Sequence, residues 1–150
     1  LVAAGVFMST LDSSIVNIAH PVIMADFQVA LTVIEWVPMI YLLTVSSLLL
    51  TFGRLSDIRG RRLVYCGGFV VFSIGSLLCG MAGSAPGLIS SRALQGMGAA
   101  MLMACSPALV VDVFPIAERG RALGMVGMVV AAGLTSGPAL GGLILDFLII

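Results

Sequence analysis

Five stretches of this chain are each apolar over roughly the length needed to cross a bilayer, and they are joined by short polar connections. The spans read as 1–25, 32–52, 63–82, 86–111 and 122–145, on the rule that about 20 apolar residues cross the hydrocarbon core. A segment in lipid must satisfy its own backbone N–H and C=O groups, so runs of this length are helices. Composition agrees: 60% of the 150 residues are hydrophobic and the mean hydropathy is +1.20, whereas soluble domains are about 45–50% apolar. The expected fold is an all-α polytopic membrane protein, an antiparallel helical bundle that no soluble domain or linker interrupts. The chain begins at Leu1 and ends at Ile150, both inside apolar runs. It therefore reads as part of a longer chain, its partner being a C-terminal half of the same protein.

Charge placement sets the orientation. Four of the seven basic residues, Arg54, Arg59, Arg61 and Arg62, share the connection 53–63, and Arg119 and Arg121 share the connection 112–121. Two spans separate these connections, so both face the same side. The excess of arginine in cytoplasmic loops puts that side in the cytoplasm. The N-terminus is then cytoplasmic, and Asp26, Glu35 and Asp146 lie near the outer face of a cell (plasma or inner) membrane. The connection 53–63 reads as a polar turn. In it Gly53 is expected to permit close helix approach and Gly60 to take a backbone angle other residues resist. Asp57 is expected to pair with an arginine, Arg119 or Arg121 among the candidates.

Several classes of chemistry find no support. There is no lysine, which a Walker-type phosphate loop requires. Cys66, Cys79 and Cys105 are far apart and there is a single histidine, His20, so metal and redox chemistry lack ligands. No nucleophile–base constellation appears, and an enzyme is not expected. Nor is a cofactor, a metal or a nucleic-acid partner. The lipid bilayer is the one obligatory surrounding.

The polar residues inside the spans carry the information. Ser9, Ser13, Asn17 and His20 recur at helical spacing, with Asp12 at the edge of that stripe. Such a stripe is expected to face protein or a wet cavity rather than lipid. His20 reads as a structural residue near the outer interface. Arg92 lies about two turns from the outer end of its span. Gln95, Gly96, Ala99 and Ala100 follow on nearby faces, which suggests a polar groove. Gly68, Gly75, Ser76, Cys79 and Gly80 are assigned to helix packing. Gly133, Gly137 and Gly141 repeat at steps of four, with Pro138 and Gly142 beside them. They predict a flat ridge, and a bend where Pro138 cannot donate to the carbonyl of Leu134.

These patterns coincide with a known family. Gly53-Arg54-Leu55-Ser56-Asp57-Ile58-Arg59-Gly60-Arg61-Arg62 resembles the cytoplasmic loop signature of the major facilitator superfamily, Gly-x-Leu-x-Asp-x-x-Gly-Arg-Arg. The segment from Leu11 to Pro21 resembles the first-helix signature of its 14-helix drug:proton antiporter branch, with Ser14 in place of the usual Thr. Trp36 and Tyr41 resemble the start of that branch's second helix, and Arg92-x-x-Gln95-Gly96-x-Gly98-Ala99-Ala100 its fourth-helix motif. Gly133-x-x-x-Gly137-Pro138-x-x-Gly141-Gly142 resembles the antiporter signature of drug exporters. The resemblance implies most of an N-terminal six-helix half built from inverted repeats. It implies a proton-coupled exporter of lipophilic or cationic drugs. Asp12, Asn17, Arg92 and Gln95 would serve proton coupling and the substrate cavity, and Gly53, Asp57, Gly60, Arg61 and Arg62 the cytoplasmic gate. Its ligands would be a small-molecule drug and protons. Two alternatives remain open on the residues: a proton-coupled metabolite symporter of the same superfamily, and a non-transporting membrane module.

Overall fold

The structure, a computed structural model, describes residues 2–149. The side chains of His20, Leu140 and residues 143–149 fall outside that description, and with them the expectations for His20 and Asp146. The chain forms α1 (Val2–Phe27), a single short turn α2 (Leu31–Ile34), α3 (Trp36–Arg59), α4 (Arg61–Gly80), α5 (Ala85–Val113), a 3₁₀ turn (Ile116–Glu118) and α6 (Arg119–Ile149). Five helical stretches are long and apolar enough to cross a membrane, as the hydropathy predicts.

Local chemistry places the helix ends. Gln28 ends α1 with φ 51°, a left-handed conformation found at helix C-termini. The Ser84 side chain accepts from the Gly87 N–H, and Pro86 follows in the first turn of α5, where its missing N–H costs nothing. Phe114 ends α5 in an extended conformation because Pro115 disfavours helix in the residue before it.

The connection between α3 and α4 differs from the polar turn expected over 53–63. α3 stays helical through Arg59 and α4 starts at Arg61, so Gly60 alone is the break. Its φ of 96° is what only glycine adopts without strain. One residue reverses the chain because each neighbour can continue its own helical hydrogen bonds up to the junction. Gly53 lies within α3, and a Cβ there would meet nothing within 4 Å among the described residues. The close approach expected at Gly53 is therefore absent from this bundle.

The helices assemble in two groups. α5 packs closely on α4 and on α3, and α1 packs on α6. Glycines set the first group. A Cβ on Gly98 would lie 2.4 Å from the Phe72 nitrogen, one on Gly75 2.7 Å from the Gln95 Cα, and one on Gly96 2.9 Å from the Tyr41 carbonyl oxygen. Gly96, Ala99 and Ala100 are thus buried packing positions and not the lining of a polar groove. Their missing side-chain bulk lets the three backbones touch. Tyr65 and Phe72, both 0% exposed, fill the core with Leu102 and Cys105.

The second group rests on the α6 ridge. Gly133, Gly137 and Gly141 are buried and face Thr10, Ser14 and Ile18 of α1 in turn. Gly142 has open space around its Cα and Pro138 is exposed, so neither belongs to the contact face. Pro138 acts differently. It deprives the Leu134 carbonyl of its intrahelical donor, and the Ser14 hydroxyl of α1 donates to that carbonyl at 3.0 Å. A defect in one helix is thereby repaired by its neighbour.

Candidate functional site

The two groups of helices meet at a buried cluster of charge. Asp12 sits about 15 Å along α1 from Val2, and Arg92 about 10 Å into α5, at 1.5 Å per residue. Arg92 is 2% exposed. It does not extend toward the helix end but turns inward, and its Nη1 donates to Asp12 Oδ2 at 2.5 Å. The same nitrogen contacts Gln95 Oε1 one turn along α5. Gln95 Nε2 donates to Asp12 Oδ1 at 2.9 Å and to Ser76 Oγ of α4 at 2.7 Å. The amide therefore points its acceptor at the guanidinium and its donors at the Asp12 carboxylate and the Ser76 hydroxyl, so that Asp12 acts as an acceptor toward both Arg92 and Gln95.

Tyr41 of α3 completes the enclosure. Its ring centroid lies 5.0 Å from Arg92 Cζ, within range of a cation–π attraction. Cys79 Sγ stands 3.9 Å from Gln95 Oε1. Arg92 Nε is buried without a hydrogen-bond partner, so the guanidinium is held chiefly through its one bonded nitrogen and the tyrosine face. The carboxylate is less enclosed. The Asp12 side chain is 23% exposed and borders a cavity of about 540 Å³ with Met8, Ile15, Phe72, Ser73 and Ser76 among its walls. One face of Asp12 thus meets a fixed cation while the other meets open space. That arrangement can bind, exchange or release a small cation or a proton; no metal-ligand cluster occurs among the described residues.

Not every residue singled out in the sequence joins this cluster. Asn17 is exposed and does not line the Asp12 cavity. Five residues on, it points about 140° away from Asp12 around the helix. Ser9 turns its hydroxyl to the Val6 carbonyl within α1, whereas Ser13, which donates to the Ser9 carbonyl, also meets the Tyr41 hydroxyl at the edge of the cluster. Two participants were missed. Ser76 was assigned to packing and Tyr41 carried only a motif match. Ser76 is found by noting that it follows Gly75, whose lack of a side chain brings the α4 backbone onto Gln95.

A second cluster occupies the far end of the bundle. Arg61 Nη1 donates to Asp112 Oδ1 at 2.6 Å, and its Nη2 lies 3.4 Å from Asp57 Oδ1. Asp57 thus pairs with Arg61, one turn away, and not with Arg119, whose Nε donates to the Phe114 carbonyl, or with Arg121. The link from Arg61 to Asp112 ties the α3–α4 junction to the end of α5. Arg62 is exposed beside it. The Tyr65 hydroxyl donates to the Val2 carbonyl at 3.3 Å, which puts the start of α1 at this same arginine-rich end.

Membrane-length helices that bury an ion pair between them, open on one side to a cavity, define a polytopic membrane protein with an internal charge site. The match extends to a named family: residues 2–149 fit the model of the Major Facilitator Superfamily, and the chain belongs to it. It is therefore an integral, multi-pass membrane protein of a family of transporters. It is 47% identical over 146 residues to the riboflavin transporter RibZ of Clostridioides difficile (strain 630), covering 97% of this chain and 32% of that protein. Over 143 residues it is 41% identical to the multidrug resistance protein Stp of Mycobacterium tuberculosis (strain ATCC 25618 / H37Rv), covering 95% and 27%. Over 142 residues it is 37% identical to the multidrug transporter protein MdtP of Bacillus subtilis (strain 168), covering 95% and 26%. The chain thus spans about a third or less of the length of these relatives.

Proposed function

We propose that the whole protein is a proton-coupled antiporter that exports lipophilic or cationic drugs, with Asp12 as the exchanging group. The observation that carries this reading is the Asp12–Arg92–Gln95 cluster with one carboxylate face on a cavity. An ionised Asp12 neutralises Arg92. Protonating Asp12 leaves a buried cation without its partner, a loss worth about 3–5 kcal/mol when a buried pair is broken outright. Proton entry and cationic-drug entry therefore compete for one carboxylate, and each must be accompanied by a rearrangement around Arg92. Gln95 supplies the alternative contact, since its amide oxygen already faces the guanidinium. The multidrug names of Stp and MdtP support the drug reading. Orientation follows the arginine bias, with the Gly60 end and the N-terminus in the cytoplasm of the cell membrane.

A second reading has its own support. The 47% identity to a protein named a riboflavin transporter favours a metabolite as cargo, carried through the same cavity. One experiment addresses both: binding of a cationic drug, a neutral drug and riboflavin to purified full-length protein as a function of pH, for wild type and Asp12→Asn. The antiport reading expects cationic-drug binding to fall with acidification in wild type and to be weak and pH-independent in Asp12→Asn, with the neutral drug nearly unaffected. Riboflavin binding without drug binding selects the second reading. An unchanged pH dependence in Asp12→Asn assigns the exchanging proton to another group.

A further inference from the structure

Two cavities at the arginine-rich end share a wall. The first, about 450 Å³, lies at the α3–α4 junction between Arg59, Arg61, Arg62 and Asp112. The second, about 640 Å³, runs between α1, α4, α5 and α6 and is lined mainly by apolar side chains, among them Val110, Val126 and Val129. Arg62, Leu109 and Val113 border both. A compartment bordered by three arginines thus adjoins one lined mainly by apolar side chains.

The charges in the polar compartment are unevenly satisfied. Arg61 bridges Asp112 at 2.6 Å and Asp57 at 3.4 Å, which offsets one of those two carboxylate charges. Arg59 and Arg62 are exposed and make no ion pair among the described residues. The helix ends and connections on this side carry Arg54, Arg59, Arg61, Arg62, Arg119 and Arg121 against Asp57, Asp112 and Glu118 among the described residues. The surplus is cationic. The ligand that fits is an amphiphile with an anionic head and an apolar tail. At a membrane surface that description is met by an anionic phospholipid, whose headgroup is attracted to basic pockets between helices.

We propose that this end of the bundle holds one anionic phospholipid of the adjoining leaflet, its phosphate between Arg59 and Arg62 and one acyl chain in the groove past Leu109 and Val113. The site is independent of what the protein transports. It makes occupancy depend on leaflet composition, because a zwitterionic lipid brings a cation of its own to the same arginines.

Native mass spectrometry of the full-length protein, released from membranes and offered phosphatidylglycerol or phosphatidylcholine, tests the assignment. Wild type should retain phosphatidylglycerol in preference. Each basic residue near an anionic surface changes binding about fivefold, so Arg59→Gln with Arg62→Gln should weaken retention roughly twenty-five-fold. Both side chains are exposed and the double variant should fold. Val113→Trp, at a position 65% exposed, obstructs the shared wall without altering charge and should also lose the lipid. sn-Glycerol 3-phosphate should not compete. Equal retention of the two lipids, or retention within twofold by the double variant, overturns the proposal. Displacement by sn-glycerol 3-phosphate with retention by Val113→Trp also overturns it, in favour of a soluble phosphate ester.

Discussion

The Ser14–Leu134 hydrogen bond permits a sharp test of how α1 is fixed to α6. Pro138 removes the N–H that would serve the Leu134 carbonyl, and the Ser14 hydroxyl supplies the substitute at 3.0 Å. Ser14→Ala keeps the Cβ that packs on Gly137 and deletes the donor alone. An orphaned buried acceptor costs about 1–3 kcal/mol, and measured interhelical hydrogen bonds in membranes average about 0.6 kcal/mol with a maximum near 1.7. A loss of about 1–1.5 kcal/mol is therefore expected. Pro138→Ala restores an N–H four residues after Leu134, so in that background Ser14→Ala should cost only a few tenths. The coupling energy of the cycle should be about 1 kcal/mol. Equilibrium unfolding of the four full-length variants in mixed micelles measures it. Additive effects, within about 0.3–0.5 kcal/mol, would show that the hydroxyl does not compensate for the proline.

Other expectations follow from the same geometry. Gly137→Ala would set a Cβ 2.4 Å from that of Ser14, whereas at Gly141 the nearest atom is 3.7 Å away and at Gly127 nothing lies within 4 Å. Thermal unfolding should show a loss of about 1–3 kcal/mol for the first, by overpacking, and near-neutral effects for the other two. Tyr41→Leu should destabilise the protein by about 0.5–2 kcal/mol through the lost cation–π contact, and Tyr41→Phe by less; equal losses would remove the ring face from the account of Arg92. Asp57→Asn breaks an exposed pair worth about 0–1 kcal/mol while Arg61 keeps Asp112, so expression should hold while transport falls. Normal transport would leave the α3–α4 junction a determinant of topology alone. Cysteines placed at the exposed Ile58 and Ala117, in a cysteine-free background, should resist an impermeant thiol reagent in intact cells; labelling of either would reverse the orientation.

The helices were legible because lipid allows a long apolar run only one backbone solution. The glycine spacing on α6 was equally plain, since a ridge needs only helical periodicity. Asp12, Arg92 and Gln95 stood out because polar groups in a span demand partners, yet their pairing was not written in either helix alone. Asn17 shared a stripe with Ser9 and Ser13, but the stripe is wide enough to wrap from the interior to the surface. Ser76 was assigned to packing because a serine among glycines has the composition of a packing face, and only the placement of α4 against α5 shows which atom it meets. The connection 53–63 was read as a turn from its polarity. Polarity at a membrane surface is compatible with helix, and only Gly60 carried the conformational information.

The division of the helices into two groups has a mechanical consequence. Within each group the grip is distributed over many close contacts of small residues, and such interiors resist compression and transmit strain. Between the groups, the polar ties among the described residues include those from Asp12 to Arg92 and Gln95, from Ser13 to Tyr41, and from Tyr65 to the start of α1. The one ion pair that crosses this boundary among the described residues is that of Asp12 with Arg92. Adding or removing a single charge there alters the contact that ties α1 and α6 to α3, α4 and α5.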